Sequence, residues 1–111
     1  MQTIAKNTWT AMQGMQTKFI RLTLFSDAGS DAATFDVFGS RDGGITAAPM
    51  ARVDTMAEAL AITLTTAAAK PTGTTLYSAS VRLAREGAEH ICIRETSAAG
   101  GTYSYGIEET L

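Results

Sequence analysis

The chain has 111 residues, of which 45% are hydrophobic and 18% charged, and its net charge is −2. That length suits a single domain with its own core, and the composition excludes a disordered chain. The negative balance argues against bulk attraction to nucleic acid or anionic membrane, though it leaves room for a local basic face. A lone cysteine, Cys92, excludes an internal disulfide and fits a reducing compartment.

Residues 1–17 fit neither a helical nor a strand period. Trp9, Met12 and Met15 are apolar, but Gly14 and scattered Thr and Gln break both patterns. The segment reads as a strand, a short helix or an N-terminal arm. An arm carrying Trp9 either tucks onto its own core or crosses to a neighbouring subunit, where aromatic and Met residues are favoured.

Lys18 to Ser26 alternates, with Ile20, Leu22 and Leu24 on one side and Phe19, Arg21, Thr23 and Phe25 on the other, which predicts a strand. After a turn cluster at Asp27 to Asp31, Thr34 to Ser40 reads as a second strand, and the pair as a hairpin. Arg41-Asp42-Gly43-Gly44 is a turn. A short strand is expected at Met50 to Val53, with Pro49 confining it to a start or an edge.

A helix is expected from about Met56 to about Ala69. Thr55 and Glu58 have the spacing of a capping box, and Lys70-Pro71-Thr72-Gly73 closes the segment. Val53, Met56, Leu60 and Leu64 form its apolar stripe, which is expected to bring Leu60 against Ile93. Thr63, Thr65 and Thr66 are weak helix formers, so packing must hold it. The string Val53-Asp54-Thr55-Met56-Ala57-Glu58-Ala59-Leu60 resembles the strand-to-helix junction of small HicB-type antitoxin domains. That resemblance implies a helix entry at this point and covers eight residues of the 111. The strands that follow depart from that family's order.

Three further strands are expected. Thr75 to Arg85 places Tyr77, Ala79, Val81 and Leu83 on one side. Glu89 to Thr96 points Ile91 and Ile93 inward and His90, Cys92 and Arg94 outward. Thr102 to Glu109 shares Tyr103, Tyr105 and Ile107 on one face. Glu86-Gly87 and Ala98 to Gly101 are the turns between them. The fold class expected from this order, β-β-(β)-α-β-β-β, is α+β: an antiparallel sheet of five to six strands with one α-helix packed on one face, in a single domain spanning 1–111.

No spacing of Cys, His or acidic residues suggests a metal site, and no glycine-rich loop leads into a phosphate-binding helix, so no metal and no cofactor is expected. His90 and Cys92 share a strand face but stand roughly 7 Å apart, too far for a direct hydrogen bond. Asp54 and Glu58 are explained by helix capping more simply than by acid–base work. The outer sheet face is the candidate working surface. If the hairpins align it gathers Phe19, Arg21, Phe25, Ser78, Ser80, Arg82, His90, Cys92, Arg94, Thr102 and Ser104, a mixture of aromatics, hydroxyls and cations.

These features predict a small non-enzymatic binding or assembly protein rather than an enzyme. Its size and plain chemistry suit an accessory protein of a phage or mobile element. One helix cannot shield a broad sheet, so a homo-oligomer, dimer or larger, is expected through the sheet-face aromatics or Trp9. The alternatives are a binder of a small apolar or anionic ligand and a single-stranded nucleic-acid binder using Phe19 for stacking and Arg21, Arg82 and Arg94 for phosphates. The acidic balance disfavours the last. Met1 to Lys6 lacks the basic head and apolar run of a signal peptide, and no apolar stretch nears the ~18 residues of a membrane span, so a cytoplasmic location is expected.

Overall fold

The computed structural model describes residues 2–26, 34–63, 66–69, 75–97 and 103–110. Within them the chain forms eleven strands: β1 (Gln2–Ile4), β2 (Thr10–Ala11), β3 (Phe19–Ser26), β4 (Thr34–Ser40), β5 (Ala47–Pro49), β6 (Ala51–Arg52), β7 (Ile62–Thr63), β8 (Thr66–Ala69), β9 (Thr75–Ala84), β10 (His90–Ser97) and β11 (Tyr103–Thr110). They make two antiparallel sheets. One has six strands in the order β1-β11-β3-β9-β6, with β8 also on β9; the other has five in the order β2-β10-β4-β5, with β7 also on β4.

The alternation read from the sequence decides which side of each long strand is apolar. Ile20, Leu22 and Leu24 of β3, Val81 and Leu83 of β9, and Tyr105 and Ile107 of β11 are buried. So are Phe35 and Val37 of β4 and Ile91 and Ile93 of β10, from the other sheet. All belong to one hydrophobic cluster. Phe35 and Tyr105 meet edge to face across it, with ring centroids 5.4 Å apart, a favoured aromatic geometry.

The α+β expectation is overturned: the described residues are all β, and no α-helix packs on either sheet. Where a helix was expected to begin, the chain turns back on itself. Met56 donates to the Arg52 carbonyl at 2.9 Å, Arg52 to Ala57 at 2.8 Å, and Ala51 bridges Glu58. Met56 (φ 58°) and Ala61 (φ 56°) are left-handed, which a right-handed helix cannot contain. The Thr55 hydroxyl accepts from the Ala57 amide at 3.3 Å, closing a local turn and not a capping box. Beyond it, β7 pairs with β4 and β8 with β9. The implied HicB-like helix entry falls with the helix.

The reason is competition for the core. The face that the helix was to cover is occupied by the second sheet, and a Thr-rich segment has little propensity with which to resist extension. Leu60 is consequently 40% exposed, and Ala59 and Ile62 are buried in its place.

The expected hairpin of β3 and β4 is also absent. β3 pairs with β11 and β9, whereas β4 pairs with β10, β5 and β7. Consecutive strands mostly change sheets, and only β4–β5 and β8–β9 are neighbours in both sequence and sheet. Even the tight turn at Glu86-Gly87, both with positive φ, joins strands of opposite sheets. The turns at Asp27 to Asp31 and Ala98 to Gly101, and the segment Lys70 to Gly73, lie outside the described residues.

Both flanks of the stack are closed by chain that crosses between sheets. On one flank β1 joins β11 and β2 joins β10. The Gln2 side chain donates from Nε2 to the Ala11 carbonyl and accepts from the Gln13 amide at Oε1, tying the two strands together. Residues 2–17 are therefore part of the core's wall, with Ile4 and Met12 buried. On the other flank β5 to β8 step between sheets, and Ala59 donates to Met50 at 2.7 Å while accepting from Val37 at 2.8 Å. Pro49 sits on an edge strand, as a residue without an amide hydrogen requires. No helix among the described residues is long and apolar enough to cross a membrane.

Candidate binding face

The candidate residues do not form one platform. Phe19, Arg21 and Arg82 lie on the outer face of the six-stranded sheet, together with Ser80 and Ser104; His90, Cys92 and Arg94 lie on the five-stranded sheet. A sheet alternation tells which side a residue faces but not which sheet carries it.

On the six-stranded sheet, β3 is central, between β11 and β9, and this fixes the register of the outward residues. Glu108, Arg21 and Arg82 stand side by side across β11, β3 and β9. The next row holds Thr110, Phe19, Ala84 and Ala51. Like charges directly opposite destabilise a sheet, and Arg21 and Arg82 are such a pair. The Arg82 guanidinium carbon lies 5.3 Å from the Phe19 ring centre, within cation–π range. Phe25 is in register with Ser78 and Ser104, and its side chain is outside the described residues.

The five-stranded sheet presents a different surface. Arg94 pairs with Asp36 directly opposite, at 2.8 Å, and its guanidinium carbon lies 5.1 Å from the Phe38 ring centre. Asp36 also accepts from the Ala61 amide at 2.9 Å. That amide, and then the Arg94 guanidinium, hold the Asp36 carboxyl below its ordinary range against the opposing effect of burial. Trp9 packs on the Gly44 backbone: a Cβ on Gly44 would stand 2.3 Å from the indole Nε1. Trp9 thus belongs to its own chain's loop contacts.

His90 and Cys92 share this outer face. Burial pushes the Cys92 thiol up, and the nearby Arg94 charge only partly offsets it, so the thiol is held in its less nucleophilic form. Asp54 and Glu58 are both exposed at the turn after β6. Among the described residues no group of three or more His, Cys, Asp or Glu is placed to hold a metal ion.

The sequence reading missed Asp36, Phe38 and Gly44. Asp36 and Phe38 do show the outward parity of β4, but pairing them with Arg94 requires the β4–β10 register, which no local pattern carries. No family model, curated protein or solved structure matches the chain.

Proposed function

We propose that the chain is a non-enzymatic binding protein that works through the outer face of its six-stranded sheet, where it takes an anionic ligand. The observation that carries this is the Arg21–Arg82 pair, directly opposite on β3 and β9 with Phe19 beside it. With Glu108 across from Arg21 the row holds two guanidinium groups to one carboxylate, and an anion placed over it adds attraction to both cations. Working through a face also suits this architecture, because the outermost strands are too short to template strand addition.

The test is titration with inorganic polyphosphate and with a single-stranded oligothymidylate at low and at physiological salt. Binding that weakens with salt and is lost in Arg21→Glu supports the reading. Binding unchanged by that substitution, or no binding of either polyanion at low salt, sinks it.

A second reading, self-assembly, is favoured by Ile45 and Met56, which are 89% and 80% exposed. Uncovered inner sheet area no longer argues for it, because the second sheet covers that area. Light scattering at micromolar concentration, compared with an Ile45→Ser, Met56→Ser variant, separates the two readings. A larger mass that the double substitution reduces to a monomer supports assembly.

A further inference from the structure

Next to Phe19, at the end of the same outer face, is a groove of about 570 Å³. Phe19, Ala51, Val53, Met56 and Ala84 give it an apolar lining, and Lys18, Arg52 and Arg85 add three cations. Glu86 is the one carboxylate among its described lining residues. We infer that this groove binds an amphiphilic anion: an apolar chain ending in a carboxylate, of the fatty-acid type. The inference rests on the proposal that this face takes anions, and it specifies which anion and where.

Three observations carry it. First, the charge at the groove is opposite in sign to that of the whole chain, whose net charge is −2. Arg85 is committed to structure, donating to the Thr17 and Ala88 carbonyls at 2.9 and 3.1 Å. Lys18 is exposed, and the buried Nε of Arg52 has no hydrogen-bond partner among the described residues. Lys18 and Arg52 are therefore the cations left to meet a carboxylate.

Second, Met56 holds a left-handed backbone with φ 58° while its side chain is 80% exposed. Glycine or asparagine would suit that backbone better and a polar residue would suit that exposure better. A long flexible thioether at the lip of an apolar groove does have a use, which is to close over an apolar occupant. Third, the lining favours an aliphatic body over a nucleobase. Its one aromatic ring already has the Arg82 guanidinium against it, and although polar and charged residues contribute to the lining, the surface they present to the groove is mostly apolar.

The experiment is calorimetric titration of the whole chain with decanoate, below its micelle concentration, and with decanol as its neutral twin. Decanoate is expected to bind about tenfold more tightly, the worth of one hydrogen-bonded charge contact. Arg52→Gln or Lys18→Gln is expected to shrink that ratio toward one. Met56→Asp, which suits the left-handed backbone, is expected to weaken both ligands. Equal affinity for decanoate and decanol, no saturable binding of decanoate, or a nucleoside monophosphate that displaces decanoate at lower concentration would each overturn the inference. If polyphosphate still binds and Arg21→Glu abolishes it while decanoate does not bind, the groove assignment alone fails. If neither probe binds, the reading of the face fails with it.

Discussion

The two outer faces of this molecule use arginine in opposite ways. On the five-stranded sheet Arg94 faces Asp36, and the carboxylate in turn holds the Ala61 amide. That charge is spent inside the structure, fastening the β5–β8 flank to β4. On the six-stranded sheet Arg21 stands between Arg82 and Glu108, with Phe19 half-buried on the same side. A cation bonded to the carboxylate across the strand is a fastener; a row of two cations and one carboxylate is a place where an external anion adds attraction. The difference teaches that a charged sheet face should be judged by what lies across the strand and not by its composition.

That contrast can be broken or sharpened by substitution. The largest effect belongs to neither face: Phe35→Ala, which removes the edge-to-face contact with Tyr105, should destabilise by about 3–5 kcal/mol in denaturant melts. It sets the scale for the rest. Asp36→Ala should destabilise by about 1.5–3 kcal/mol, the range for hydrogen bonds to a charged group. A loss below that range would show that the five-stranded face is not fastened in this way.

Asp36 also predicts a pH dependence. Its folded carboxyl lies below the ordinary value of 3.8, so the unfolded chain takes up the proton first. The associated stability is fully present above that ordinary value and is lost as pH falls through the lower folded value. Acid titration of stability should show this limb, and Asp36→Asn should flatten it.

Gly44→Ala should destabilise by about 1–2 kcal/mol, because the added methyl meets the Trp9 indole and φ is +105°. A neutral result would free Trp9 from its place on the loop. The smallest effect is expected at Arg21→Ala, within about 0.5 kcal/mol of the parent or slightly stabilising. If it destabilised as much as Asp36→Ala, Arg21 would be a fastener too, and the proposed binding face would lose its basis.

Much of this contrast was legible in the sequence, but only strand by strand. The alternation of Ile20, Leu22 and Leu24, or of Ile91 and Ile93, marks the buried side because burial repeats every second residue. Turn chemistry placed Gly43-Gly44 and Glu86-Gly87. Sheet membership left no such mark. Phe19 and Arg94 look equivalent in the sequence, each on the polar side of an amphipathic strand, and only long-range pairing puts them on opposite faces. The error at residues 56–69 has the same root. Thr55 and Glu58 have cap spacing, and Leu60 and Leu64 have helical spacing, but the segment spans the flank between two sheets, where extended chain satisfies more backbone partners.

The crossing of consecutive strands between sheets has a consequence for synthesis. Residues 2–4 pair with residues 105–107, and β3 waits for β9 to gain its first neighbour and for β11 to gain its second. A nascent chain emerging from the ribosome can thus complete the five-stranded sheet only once β10 has been made, and the six-stranded sheet only once residues 103–110 have been made. Folding waits on these late strands by topology, with a high contact order and a slow approach to the native state. Throughout that interval the apolar sides of β3 and β4 are uncovered, so yield in a cell should respond to temperature and to chaperone supply more than the stability of the finished molecule would suggest.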